Sequence, residues 1–223
     1  MPSRNRLKIY VENSYYHVYN RGVAKQDIFL NTQDYKVFLK YLKEALTKPV
    51  VKKLLFNLRG RSFKATIRPI KNFQNEIVLI AFCLMQNHFH LLIKQNNKKS
   101  MEGFMRSVIT RYASYFNKKY DRVGPVFQGR YKAILITKDE YILHLTRYIH
   151  LNPKEYIIDI KEAYSSYADY LGLRKTSWVY PDFILKFFKD PVIPELNKVN
   201  SYKHFVENYK KDSSQVLGKL TME

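Results

Sequence analysis

Two histidines separated by a single residue occupy the run MQNHFHLLIK, residues 85–94. In a β-strand, side chains two residues apart share a face, so His88 and His90 would project together while Phe89 points into the opposite, apolar layer. Two imidazoles side by side on a strand can supply part of the ligand shell of a divalent metal ion and leave other positions open. The spacing alone is a weak indication, because such a pair can equally lie on a half-exposed strand face without any ligand.

The segment HLTRYIHLNP, residues 144–153, offers a second set of chemical groups. In a helix, residues four apart share a face, which groups Tyr148 with Asn152 and also with His144. The amide oxygen of Asn152 could complete a metal shell, and the hydroxyl of Tyr148 could attack a phosphodiester that the metal polarises. Such an attack would leave a covalent phosphotyrosine and a free 3′-hydroxyl. The alternative is that Tyr148, one of 19 tyrosines, is a core aromatic that packs the helix onto a sheet.

The charge balance is the outlying feature of the composition. The 223 residues include 39 Lys and Arg against 19 Asp and Glu, which gives a formal net charge of +20. An excess of this size favours polyanionic partners, because phosphates bound by Lys and Arg release condensed counterions. The 19 Tyr and 14 Phe residues would add stacking surfaces for unpaired bases. We therefore expect a nucleic-acid-binding protein, although a solvated basic surface without a cognate partner would have the same composition.

A single cysteine, Cys83, excludes an internal disulfide framework and a cysteine-based zinc site. The lack of disulfides is typical of the reducing cytoplasm. The first residues, MPSRNRLKIY, contain no apolar stretch of the kind found in a secretory signal. No run approaches the roughly 18 apolar residues that a membrane span requires. We expect a cytoplasmic, nucleoid-associated protein with no membrane segment.

Hydrophobic periodicity predicts strands and helices around these motifs. The predicted strands are 15–21, 77–85, 89–94 and 126–136, and the predicted helices are 32–46, 100–119 and a segment from about 137 to the proline at 153. Their order is β-α-β-β-α-β followed by a helix. This order is typical of an α+β fold of the ferredoxin-like (RRM-like) kind, an antiparallel sheet with helices packed on one face.

Residues 51–76 interrupt this order and are strongly basic. We interpret them as a long hairpin or loop inserted between core elements, which either binds nucleic acid or is only a solvated excursion. We divide the chain into a main domain at 8–175, which contains all the motifs, and a basic, partly helical C-terminal extension at 176–223. The role of the extension is open between packing on the core and packing on a partner.

Three runs, Met-x-Asn-His-Phe-His-Leu-Leu, FQGRYK and Tyr-Ile-His-Leu-Asn-Pro, occur in this order within residues 8–170. Together they resemble the HUH single-tyrosine transposases, and most closely the REP-associated tyrosine transposases of bacteria. The resemblance implies that His88 and His90 hold magnesium or manganese against the scissile phosphate. It also implies that Tyr148 is the nucleophile and that Asn152 supplies a polar third ligand. The sequence departs from the family at Gln86, where many members have a proline that is not a ligand.

The resemblance further implies a DNA substrate, a hairpin with an adjacent short guide sequence, and a protein that acts as a monomer or a homodimer. Arg130 and Lys132 could clamp phosphate, with Tyr131 on the other face of that strand. Asn20 and Arg21, at the end of the first strand, are candidates for reading bases. For all of these DNA-binding residues, an ordinary surface position is the alternative.

The sequence thus predicts metal-dependent cleavage and strand transfer of single-stranded, hairpin-forming DNA through a covalent 5′-phosphotyrosine. The alternative is a non-catalytic RRM-like nucleic-acid-binding module, which has no need of the histidine pair or of Tyr148. A hydrolase with water as the nucleophile would need carboxylate ligands, and none flanks the pair. We expect Tyr112 and Tyr115 to be core or DNA-contacting residues and His150 to lie outside the metal shell.

Overall fold

The computed structural model describes residues 8–49, 53–66, 69–189, 201–208 and 217–218. Its strands are β1 (Ser14–Arg21), β2 (Lys53–Leu58), β3 (Arg61–Thr66), β4 (Ile77–Met85), β5 (His88–Gln95) and β6 (Lys132–Ile136). Its α-helices are α1 (Thr32–Leu46), α2 (Ser100–Lys119), α3 (Asp139–Leu151), α4 (Tyr167–Tyr170), α5 (Asp182–Lys189) and α6 (Tyr202–Asn208). The predicted helices at 32–46 and 100–119 and the predicted strand at 77–85 are confirmed at both boundaries. The last predicted strand is shorter than expected, because only residues 132–136 of the stretch 126–136 form a continuous strand, and Phe127 makes an isolated bridge with Gly22.

Four strands form an antiparallel sheet in the order β4-β5-β1-β6. The two central strands, β5 and β1, pair along eight residues each, from Ser14 opposite Gln95 to Arg21 opposite His88. Strand β6 pairs with the other edge of β1, and β4 pairs with β5. The predicted α+β class with an antiparallel sheet is confirmed, and the strand order is compatible with the ferredoxin-like arrangement.

Helices α1 and α2 cover one face of the sheet. Their buried residues, among them Phe38, Leu42 and Phe104, join Val18 and Phe89 in one apolar core. This is the face on which helices were predicted, and the alternation of side chains along a strand brings Phe89 to it.

The opposite face of the sheet is covered as well, by α3 and the helices that follow it. Ile142, Leu145 and Ile149 of α3 pack against strand residues such as Ala81 and Leu92 in a second apolar core. The prediction of helices on one face therefore describes only α1 and α2. Both faces of β4 and β5 are apolar, so a sheet covered on one side would leave a large apolar surface in water.

The ends of α1 and α2 are tied together through Asp34. Asn31 caps α1 by accepting hydrogen bonds from the backbone N–H groups of Gln33 and Asp34, and the Asp34 carboxylate accepts from the Asn31 backbone in return. The same buried carboxylate forms an ion pair with Lys119 at 2.7 Å and accepts from the Tyr115 hydroxyl at 2.9 Å. These contacts fix the positions of α1 and α2, which pack against β5 on the sheet face opposite to α3.

Helix α3 is held on its outer side by residues from the C-terminal part of the chain. Both ring nitrogens of the fully buried His150 are hydrogen-bonded, Nδ1 to the Tyr202 hydroxyl at 2.6 Å and Nε2 to Ser166 Oγ at 2.7 Å. Arg147 donates from Nε to the backbone oxygen of Phe205 at 2.8 Å. The helix ends at Leu151, as expected from the proline at 153, and a 3-10 turn over Asn152–Glu155 follows.

The basic insertion contains a hairpin outside the main sheet, formed by β2 and β3. Arg59 and Gly60, with φ angles of 50° and 76°, form its two-residue turn in the left-handed conformation that favours tight hairpins. Phe56 and Phe63 stack across the strands with ring centroids 5.7 Å apart, and both are exposed. A hairpin is therefore present in the part of residues 51–76 that the structure describes, and residues 51, 52, 67 and 68 lie outside that part.

Across the described residues, no helix combines the length and the apolar character needed to cross a membrane.

Because His150 is buried, the free energy of unfolding depends on pH. Burial lowers the pKa of His150 from its ordinary 6.5 to about 3. The folded state therefore binds fewer protons than the unfolded state between these pH values, and the free energy of unfolding falls as the pH decreases from about 6.5 towards 3, by about 1.4 kcal/mol per pH unit from this group. We predict that His150→Gln removes this contribution, so urea unfolding at pH 7, 6, 5 and 4 gives a shallower decline for the variant. Equal slopes in the two proteins would contradict the prediction, since the other buried histidines are common to both.

Candidate active site

His88 and His90 lie on β5 and project from the sheet face that α3 covers. His90 is opposite Cys83 on one neighbouring strand and Tyr19 on the other. His88 is opposite Arg21 at the end of β1. The two imidazole rings are 5.0 Å apart between centroids and nearly perpendicular. The predicted shared face of the pair is thus confirmed.

His90 is fully buried, and in the part of the chain that the structure describes only one of its two ring nitrogens is hydrogen-bonded. Nδ1 is 2.8 Å from Nε2 of His17, and the two nitrogens share one hydrogen. Nε2 has no hydrogen-bond partner among the described residues. Burial, with the nearby His17 and His88, holds the pKa of His90 well below its ordinary value, so the ring is neutral at neutral pH. If His90 donates from Nδ1 to His17, its Nε2 carries a lone pair that can bind a cation.

His17 is a member of this site that the sequence analysis did not identify. It is fully buried on β1, and its ring stacks against that of His90 with centroids 5.1 Å apart. The alternation along β1 puts His17, Tyr19 and Arg21 on one face, and this grouping can be read from the sequence alone. The missing information was the pairing of β1 with β5, because no local pattern specifies the neighbour or register of a strand.

His88 is half-buried at the end of β5, and hydrogen bonds orient its ring. Its Nδ1 is 2.6 Å from the side-chain oxygen of Asn87, which favours the tautomer with hydrogen on Nδ1. Burial lowers the pKa of His88 to about 4; an interaction with the Asn152 side chain acts in the opposite direction, and the charge of Arg21 lowers it further. Both histidines of the pair are therefore neutral at neutral pH.

Helix α3 brings Tyr148 and Asn152 to the histidines. The ring centroid of Tyr148 lies 5.5 Å from that of His90 and 6.3 Å from that of His17, edge-on to both. Asn152, one turn later, donates from its amide nitrogen to the Tyr148 backbone oxygen at 3.0 Å. The Asn152 side chain also interacts with His88. The four predicted residues of the catalytic and metal sites therefore come together.

Three other tyrosines can be compared with Tyr148 by their positions in the structure. Tyr112 is fully buried in the core beneath α1 and donates its hydroxyl hydrogen to the Ile28 backbone oxygen. Tyr115 donates to Asp34 in the same helix layer. Both lie across the sheet from the histidines. Tyr19 does adjoin His90, at 5.9 Å between ring centroids, but it is buried, and burial together with Tyr148 raises its hydroxyl pKa.

The predicted DNA-binding residues lie in three different environments. Arg21 and Lys132 lie on the same sheet face as the histidines; Arg21 is held at 2.5 Å by the Gln128 side chain, and the Lys132 ammonium is 5.6 Å from the Tyr19 ring centroid. Arg130 is exposed in the loop before β6. Asn20 is buried on the other face, where its amide bonds the Gly129 oxygen and the Arg21 backbone N–H. The burial of its side chain keeps Asn20 away from a strand bound at the surface in this arrangement.

Two imidazoles and one amide are the donors that converge in this site. Within the described part of the chain, no three His, Cys, Asp or Glu side chains form a group that could hold a metal ion. The protein can therefore provide only part of a coordination shell. Such a set fits a divalent cation that takes its remaining ligands from phosphate oxygens and water, and the unpartnered Nε2 of His90 is the atom with the greatest need of a ligand.

Two transposases are among the solved structures that are similar to this chain. A REP-associated tyrosine transposase bound to a REP hairpin matches 80% of this chain and 98% of its own with a TM-score of 0.53 and 10% sequence identity. At this identity, the match shows a shared fold. A putative transposase from Deinococcus radiodurans covers 65% of this chain and 94% of its own, with 13% identity and a TM-score of 0.38.

Among the curated proteins, none matches this sequence. The family profile described as "Transposase IS200 like" matches residues 10–152. The match covers well over half of the chain and includes the histidine pair, the FQGRYK run, Tyr148 and Asn152. The chain therefore belongs to the IS200-like transposase family.

Proposed function

We propose that this transposase cleaves and rejoins single-stranded DNA through a covalent bond between Tyr148 and a 5′-phosphate. The observation that carries the proposal is the position of Tyr148, whose ring lies 5.5 Å from that of His90 on the covered face of the sheet. Membership of the IS200-like family supports DNA cleavage and transposition as the activity.

A divalent cation, magnesium or manganese, is the cofactor that we propose for this site. His88, His90 and Asn152 would hold it, and when bound it would polarise a phosphodiester and stabilise the charge that develops on its oxygens. The neutral state of both imidazoles leaves lone pairs available at neutral pH. His17 would keep His90 in the binding tautomer by accepting the hydrogen from its Nδ1, and the Asn87 oxygen would do the same for His88.

The reaction exchanges one phosphodiester for another. The Tyr148 oxygen forms a bond to phosphorus, the bond between phosphorus and the 3′-oxygen breaks, and the proton lost by the tyrosine is balanced by the proton gained by the 3′-hydroxyl. The reverse attack by a 3′-hydroxyl on the phosphotyrosine would join strands. No external energy source is needed, since the number of phosphodiester bonds is unchanged. Tyr148 adjoins the histidines of its own chain, which supports attack in cis.

The substrate that we propose is DNA with a hairpin beside an unpaired segment. The structural neighbour binds a REP hairpin, which supports this choice for a chain of the same fold. Arg21, Arg130 and Lys132 would contact backbone phosphates and guide the strand towards His88. The proposed place of action is the nucleoid, where such DNA is found.

The nucleophile can be identified by trapping the covalent intermediate. The protein is incubated with Mn²⁺ and a labelled pool of single-stranded oligonucleotides, each carrying a hairpin with randomised single-stranded flanks. We expect a DNA adduct that is stable to denaturing electrophoresis in the wild type and absent in Tyr148→Phe, since only the hydroxyl is removed.

Two tyrosines serve as matched controls for this experiment. Tyr19→Phe alters the other tyrosine beside His90, and Tyr115→Phe alters one across the sheet. Both variants should retain the adduct. An adduct that persists in Tyr148→Phe and disappears in Tyr19→Phe would assign the nucleophile to Tyr19. Binding without any adduct would support a non-catalytic nucleic-acid-binding module instead.

Cation binding can be measured apart from catalysis, by the loss of the free Mn²⁺ signal in electron paramagnetic resonance. We expect His90→Ala to abolish binding at the site. His17→Ala should weaken it by about 10- to 100-fold, which is the usual effect of losing the hydrogen-bond partner of a ligating histidine. His204→Ala, a change of an exposed histidine on α6, is the control and should bind as the wild type does. Undiminished binding in His90→Ala would refute the proposed ligand set.

Phosphate contacts by the basic residues predict a change in salt dependence. Arg130→Ala and Lys132→Ala should each reduce the slope of log K against log salt concentration by about 0.7 for a single strand. Binding is measured by fluorescence anisotropy with EDTA, in the Tyr148→Phe background so that no cleavage occurs. Lys36→Ala, an exposed change on α1 across the sheet, should leave the slope unchanged. Slopes equal to that of this control would exclude the two residues from the DNA path.

A further inference from the structure

A pocket adjoins His88 on the side away from Arg21 and has no role in the chemistry described so far. It lies between the β4–β5 turn and the segment that follows α3, and its cavity volume is about 120 Å³. The residues that matter for its chemistry are Tyr35, Gln86, His88, Pro153, Tyr156 and Tyr164.

Aromatic rings form much of the pocket lining. The rings of Tyr35 and Tyr164 are parallel within 8° with centroids 4.0 Å apart, and Phe29 stacks behind Tyr35 at 4.6 Å. This stack of three rings joins α1 to the loop before α4 and gives one rigid wall. Tyr156, after α3, contributes a ring that is 66% exposed to solvent. An exposed ring beside a pocket with a rigid aromatic wall is an arrangement that suits a flat aromatic ligand.

The polar group at the rim is the amide of Gln86. Its backbone oxygen accepts hydrogen bonds from the N–H groups of Ile28 and Phe29 at 2.8 and 3.0 Å, which fixes the turn. Its side chain is exposed and makes no hydrogen bond within the described residues. A primary amide carries both a donor and an acceptor, so it can pair with the edge of a nucleobase. The proline found here in many members of the family could not do so.

We propose that this pocket binds one unpaired base of the DNA strand, at a nucleotide next to the phosphate that Tyr148 attacks. The proposal rests on the proposed function, because His88 belongs both to the pocket and to the proposed cation site. Stacking on Tyr156 would hold the base, and Gln86 would contact its edge. A nucleotide held on this side of His88 fixes which phosphate reaches the cation. The pocket thereby helps to determine the cleavage position.

The first experiment measures stacking without any cleavage. Single-stranded oligonucleotides that contain 2-aminopurine are titrated with protein in EDTA, all in the Tyr148→Phe background, and quenching of the 2-aminopurine fluorescence reports stacking. We expect Tyr156→Ala to weaken the quenching interaction between about fivefold and 150-fold, the usual effect of losing one stacking ring. Tyr180 is another exposed tyrosine and lies outside the pocket. Tyr180→Ala should therefore give the same quenching as the protein that carries Tyr148→Phe alone. Equal quenching by the Tyr156 and Tyr180 variants would overturn the proposal.

The second experiment measures base preference during cleavage. DNA trapped by the wild type from the pool with randomised flanks is sequenced, and the preferred base at each nucleotide around the phosphotyrosine is determined. Tyr156→Ala and Gln86→Ala should flatten the preference at one nucleotide beside the cleaved phosphate and leave other positions unchanged. An unaltered base preference at every position in both variants would overturn the proposal that this pocket binds a base. If the wild type forms no adduct, the proposed function fails, and the stacking measurement still decides the pocket by itself.

Discussion

A fully buried imidazole with one unpaired nitrogen is the constraint around which this face of the sheet is organised. Among the described residues, Nε2 of His90 has no hydrogen-bond partner, and leaving a buried polar atom in this state costs about 1–3 kcal/mol. The central position of β5 makes the arrangement possible, because strands on both sides fix the backbone and His17 engages the other ring nitrogen. Protonation cannot relieve the cost, since burial depresses the pKa of the ring. A ligand that accepts the lone pair would relieve it.

Helix α3 holds Tyr148 beside this imidazole because both sides of the helix are occupied. Ile149 and its neighbours pack on the sheet, and the opposite side is bonded through His150 and Arg147 to residues near α6. A helix clamped in this way cannot rotate about its axis without breaking several buried hydrogen bonds. The position of Tyr148 over the sheet is therefore a property of the whole layer, in agreement with the general need to support a reactive group on rigid elements.

The sequence allowed prediction of the features that depend on local periodicity. The alternation within residues 85–94 predicts which side chains share a face, and the spacing of four between Tyr148 and Asn152 predicts their common side on a helix. These residues are the ones that the structure brings together. The class of the fold followed from the order of elements, since each of them has a strong pattern.

Features that depend on contacts between distant segments could not be predicted in this way. The contact of His17 with His90 joins residues 73 positions apart and exists only because β1 lies beside β5 in one register. The burial of Asn20 shows a different failure, because the alternation that places Arg21 on the face of the histidines necessarily places Asn20 on the other. The covering of the second face by α3 was missed because periodicity within a helix gives its apolar side and not the surface that it meets.

The anchoring of α3 by residues near α6 has a consequence for the order in which the protein is made. The strands that carry His17, His88 and His90 are complete by residue 136, and Tyr148 is added shortly afterwards. The partners of Arg147 and His150 in residues 201–208 leave the ribosome only about fifty residues later. Until then, the outer side of α3 has only part of its contacts, such as the bond from His150 to Ser166. The nascent polypeptide thus contains His17, His88, His90 and Tyr148 before the last of the contacts that hold α3 can form.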